Sequence, residues 1–113
     1  MAATQLTIDY VKALNTKLST IDKHGSYTFD YTGGRNYDRI LLVRHEYRRS
    51  LTDKSVHAFV DRKTGKLIKS ATWKAPQKNA DGSLSARYDL STPDGFQKAI
   101  DVADTSGWYL LAT

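Results

Sequence analysis

The sequence predicts an α+β domain: a four- or five-stranded antiparallel meander sheet with N-terminal and C-terminal helices. Three observations predict it. An amphipathic stripe opens the chain, strand-length apolar blocks fill its centre, and a helix-start signal precedes a second stripe near its end. At 113 residues the chain can bury one core, so residues 1–113 read as a single domain.

Leu6, Ile8, Val11, Leu14 and Leu18 recur at helical spacing with polar residues between them. They predict a helix from Gln5 to Ile21, ended by Lys23-His24-Gly25. Tyr27, Phe29 and Tyr31 alternate with Thr28, Asp30 and Thr32, the period of a half-buried strand. After the loop Gly33-Gly34-Arg35-Asn36, the run Tyr37 to Arg48 has an apolar centre, Ile40-Leu41-Leu42-Val43, which marks a central strand buried on both faces. Arg49 to Lys54 reads as a polar loop. Ser55 to Asp61 and Lys66 to Trp73 form a hairpin around Arg62-Lys63-Thr64-Gly65, where Gly65 supplies the positive φ of a tight turn. Pairing in chain order puts Tyr27, Phe29, Tyr31, Leu41, Val43, Val56, Ala58, Val60, Leu67, Ala71 and Trp73 beneath the first helix. Ile40, Leu42, Phe59 and Ile68 fall on the other face with His57, where the second helix is expected to cover them. A one-residue slip would exchange the faces.

From Lys74 the periodicity vanishes. Pro76 cannot donate to a ladder, and residues 77–87 read as an exposed, mobile loop. Ser91-Thr92-Pro93-Asp94 has the chemistry of a helix start, with Phe96, Ala99, Ile100 and Ala103 as the stripe and Ser106-Gly107 as the stop. Trp108 to Ala112 is expected to add a fifth strand or a packed extension.

The absence of cysteine excludes a disulfide framework and any thiolate metal site, and it fits a reducing compartment. No apolar run approaches the ~18 residues of a membrane span, so no membrane is expected as a partner, and Met1 to Thr7 lacks the regions of a signal peptide. Nucleophile elbow, Walker loop, dinucleotide fingerprint and zinc spacing are all missing. His45 and His57 could meet across strands, with Asp30, Asp38 or Glu46 completing a site, but their spacing carries no metal signature. Catalytic residues, metal and cofactors are therefore expected to be none, and the chain is read as no enzyme.

Charge is more informative. Between Arg35 and Lys78 twelve Lys and Arg face four acids, giving the centre about +8 and the ends together about −3, within a net charge of +5. The densest constellation is the hairpin and its exit: Arg62, Lys63, Lys66, Lys69, Trp73, Lys74 and Lys78. Cations on a β-ribbon can follow a phosphate backbone, and Trp73 at its base offers either a stacking surface or a core side chain. Gly33-Gly34 before Arg35 could cradle a phosphate through backbone N–H groups, though two glycines more often make a plain turn.

The segment from Ser55 to Lys78 resembles a stretch in small uncharacterised proteins of tailed bacteriophages. In these, Phe-Val-Asp and a Thr-Gly turn lead to a Lys and a Trp-Lys-x-Pro-x-Lys exit. The matching positions are Phe59, Val60, Asp61, Thr64, Gly65, Lys69, Trp73, Lys74, Pro76 and Lys78, followed later by Ala86-Arg87. The resemblance implies a viral origin and hence the host cytoplasm during infection. It implies no activity. Charge adds the expectation of a bacteriophage accessory protein binding nucleic acid, DNA or RNA, non-specifically through the hairpin. The alternative is an adaptor or inhibitor binding a host or phage protein.

Overall fold

A computed structural model describes residues 2–21, 27–46, 51–70, 76 and 86–103. Its elements are α1 (Gln5–Ile21), β1 (Tyr27–Thr32), β2 (Tyr37–Glu46), β3 (Leu51–Asp61), β4 (Lys66–Lys69), β5 (Ala86–Asp89) and α2 (Pro93–Val102). The five strands form one antiparallel sheet in chain order, so the α+β meander is as the periodicity predicts.

α1 has the predicted bounds because its stripe is continuous. Tyr10, Val11, Leu14 and Leu18 are buried, with Leu6 packed beside them. They meet Phe29, Ile40, Ala58, Val60 and Leu67 from the sheet, and Leu90, Ala99 and Ala103 from the C-terminal region, in one core. Tyr10, absent from the predicted stripe, is fully buried and meets Phe96 of α2 edge-on at 5.7 Å. Both helices thus share one side of the sheet. The expectation that α2 covers the opposite face is corrected: its buried Ala99 packs into the α1 core.

The predicted register on β2 is also corrected. Phe29 lies opposite Leu42 and Tyr31 opposite Ile40, so Ile40 and Leu42 point toward the helices. Leu41 and Val43 take the other face. Phe59 and Ile68 lie there as expected, and all four are buried, so both faces of the sheet bury apolar side chains. Between the pairs Ile40–Ala58 and Leu41–Val56 the register shifts, which leaves His57 as one extra residue on β3. His57 is buried and meets the Phe29 ring edge-on at 5.0 Å, so it lies on the helix side and not on the face first expected. Val56 moves with the shift to the opposite face.

Leu51 to Lys54, read as loop, extend β3 by pairing with Val43 to Glu46. The fifth strand is Ala86–Asp89, where the sequence reads the end of a loop; the earlier part of that loop and the Trp108 to Ala112 segment lie outside the described residues. Beyond Lys69, Ser70 bridges to Pro76. α2 begins as predicted, with Thr92 Oγ1 accepting from the Gly95 N–H at 3.1 Å. It stops earlier than Ser106-Gly107, because Ala103 turns to extended backbone (φ −64, ψ 140) as the C-cap. Lys17 of α1 closes that end by donating to the carbonyls of Ile100 and Asp101, both at 2.7 Å.

β1 is an edge strand. Asn15 of α1 occupies its outward-facing groups at Phe29, accepting from the Phe29 N–H at 2.7 Å and donating to its carbonyl at 3.0 Å. One amide side chain thereby replaces the two bonds that a further strand would make.

Candidate nucleic-acid interface

In a meander, the β1–β2 and β3–β4 turns fall at the same end of the sheet. Here the Arg62 N–H donates to the Asn36 carbonyl at 3.1 Å, tying the two turns together. Gly65 closes the second turn at φ 75, its N–H donating to the Asp61 carbonyl at 2.8 Å. Asp61 Oδ1 accepts from the N–H groups of Lys63 (2.8 Å) and Thr64 (3.4 Å), so the carboxylate is turned onto the backbone of its own turn. Between the turns lies a hollow of about 330 Å³, lined by Arg35, Asn36, Tyr37, Asp61, Arg62 and Lys63.

The predicted cations divide. Arg62 is committed to the fold, its Nη1 donating to Asp38 Oδ1 at 2.6 Å and to the Ala2 carbonyl at 2.8 Å. Lys63 and Lys66 are exposed at the turn end, while Lys69 is half-buried. Lys69 pairs with Ala58 and so lies on the helix side, whereas Lys66 has the opposite parity. Lys66 stands across from Asp89, whose carboxyl is held below the usual aspartate value by the hydroxyl and the N–H of Ser91, with Lys66 adding attraction. Trp73, Lys74 and Lys78 lie outside the described residues. Of the described hairpin cations, Lys63 and Lys66 are therefore exposed at the turn end, Arg62 lines the hollow with Lys63 but is bonded to Asp38, and Lys69 lies on the helix side.

Arg35 joins this end from the other turn and is exposed. Its proximity to Lys63 was available in principle, since a meander places alternate turns together. Gly34 belongs to a tight turn, where an added Cβ would collide with the Tyr37 carbonyl. The two strand histidines do not meet: His45 is opposite Thr52 and bonds Thr28 Oγ1 through Nε2 at 3.0 Å, while His57 packs on Phe29. Among the described residues no group of three potential ligands could hold a metal ion, and no helix is long and apolar enough to cross a membrane.

Beneath the hollow, Asp38 is fully buried at the start of β2. Burial would raise its pKa, but the Thr7 hydroxyl (2.7 Å), the Thr4 N–H (2.9 Å), the Arg62 guanidinium and the Thr4 hydroxyl (3.0 Å) outweigh it, and the carboxyl is held below the usual aspartate value. This acid is a latch that joins the start of α1, β2 and the basic turn.

An all-antiparallel sheet with both helices on one side and a basic turn end defines a small α+β domain. The chain belongs to the family of unknown function DUF7717, whose match spans residues 1–112. No curated protein and no solved structure matches it.

Proposed function

We propose that this protein is a small accessory protein of a tailed bacteriophage, working in the host cytoplasm during infection, that binds nucleic acid non-specifically through the turn end of its sheet. The reading is of a binding module with no catalytic step. The observation that carries it is the bond from the Arg62 N–H to the Asn36 carbonyl, which sets Arg35 beside Lys63, with exposed Lys66 at the start of β4. The phage origin rests on the resemblance of Ser55 to Lys78.

Three phosphate contacts predict a plot of log affinity against log salt with a slope of about −2.7 on duplex and −2.1 on single strands. Fluorescence anisotropy between 20 and 200 mM salt measures it. The double change Arg35→Glu with Lys63→Glu should lower affinity at least tenfold and leave the melting temperature unchanged, since both side chains are exposed. A flat salt dependence, or undiminished binding by the double variant, overturns the proposal. So does affinity purification in which a host or phage protein, and no nucleic acid, is recovered before and after nuclease treatment.

A further inference from the structure

The hollow between the turns combines cations with an aromatic residue, which is more than a phosphate track requires. Its volume of about 330 Å³ lies at the lower end of the ~300–1,000 Å³ of small-ligand sites. Cations come from both turns, Arg35 from one and Lys63 from the other, and Tyr37 lines the hollow with them. Its ring is half-buried and braced from behind: Phe59 meets it edge-on at 6.1 Å and 74°, and the Arg39 guanidinium lies 5.9 Å from the Phe59 ring centroid. A braced aromatic beside two cations is the arrangement that stacks a base while holding its phosphate.

We infer that the hollow seats one nucleotide of a single strand, its phosphate between Arg35 and Lys63 and its base on Tyr37. This rests on the polyanion reading above and adds that unpaired strands are preferred to duplex. A duplex keeps its bases stacked inside and offers this ring only sugar and phosphate. Asp61 opposes the phosphate with its charge, although its Oδ1 already accepts from two backbone N–H groups. Asn at this position retains the turn-forming oxygen and removes the repulsion.

The test is anisotropy at 20 mM salt with a fluorescein-labelled ten-residue oligothymidylate and a ten-base-pair duplex, on the full chain. Single strand should bind at least fivefold more tightly than duplex. Tyr37→Leu should weaken the single strand about tenfold, in keeping with the ~1–3 kcal/mol of a base–aromatic stack, and leave duplex affinity unchanged. Asp61→Asn should tighten single-strand binding severalfold with an unaltered melting temperature, which keeps the test decisive if the Tyr37 variant unfolds. Equal or tighter duplex binding, or an Asp61→Asn variant no tighter than the wild type, overturns the inference and leaves the broader reading standing. No salt-sensitive binding to either probe removes both.

Discussion

Removing the carboxylate of Asp38 is the most informative perturbation of this fold. The side chain is fully buried and receives four hydrogen bonds, one of them from a guanidinium whose side chain is 22% exposed. Breaking a buried ion pair from one side costs about 3–5 kcal/mol. The partial exposure of Arg62 lets water solvate its abandoned charge, which favours the lower end, while loss of the acceptor shared by the Thr4 hydroxyl and the fully buried Thr7 hydroxyl prevents a smaller figure. Asp38→Ala should therefore cost about 3 kcal/mol. With an unfolding entropy of ~2.1 cal/mol/K per residue over 113 residues, that lowers the melting temperature by about 13 °C. Asp38→Asn keeps the shape and should cost about half as much. Combined with Arg62→Met it should cost about 1–2 kcal/mol less than the sum of the two single changes. The pH dependence has a definite sign. The folded carboxyl stays charged to lower pH than the unfolded one, so its stabilisation is complete above the ordinary aspartate range and is lost as pH falls through the folded value. The gap between wild type and Asp38→Asn should begin to narrow below about pH 4 and close as pH falls through the folded value. Calorimetry of the wild type and the four variants between pH 3 and 7 measures all of this. A shift under 3 °C for Asp38→Ala, or strictly additive single changes, would refute the latch.

Two further outcomes follow from the geometry. Asn15→Ala strips both bonds from the backbone of Phe29 on the edge strand, which should cost about 1–2 kcal/mol and speed hydrogen exchange at the Phe29 amide; unchanged protection there would show that the amide contributes nothing. Gly65→Ala places a Cβ 2.8 Å from Leu6 Cδ2 and 3.2 Å from Ser91 Cβ at φ 75, so urea unfolding should show a loss of at least 1–2 kcal/mol, and a neutral result would contradict the packing of the turn under α1.

What was legible in the sequence was whatever a single periodicity could carry. α1 showed both ends because its stripe is unbroken, and the β3–β4 turn showed itself through Gly65. Ile40-Leu41-Leu42-Val43 could not reveal its register, because a run apolar on both faces satisfies either facing equally well. β5 escaped because four residues, Ala86 to Asp89, are too few to show alternation. At the candidate site, counting cations could not tell a spent charge from a free one. Arg62 looks like Lys63 in a string of letters, yet one is bonded to a buried acid 24 positions away and the other is exposed. Asp38 gave no sign of burial, since Tyr37-Asp38-Arg39 alternates as an ordinary half-solvated strand would. Tyr37 was assigned only a place in a strand.

The extra residue at His57 makes this strand unusually forgiving at one point. Losing that histidine would restore an unbroken ladder, with Ala58 still across from Ile40, Val56 still across from Leu41, and each side chain aimed as before. The same deletion three positions to either side would reverse the facing of the residues between the gap and that slot. Among relatives of this chain, a one-residue gap in β3 should therefore align at that slot, and its cost should be the lost contact with Phe29 and a flatter sheet, with the fold retained.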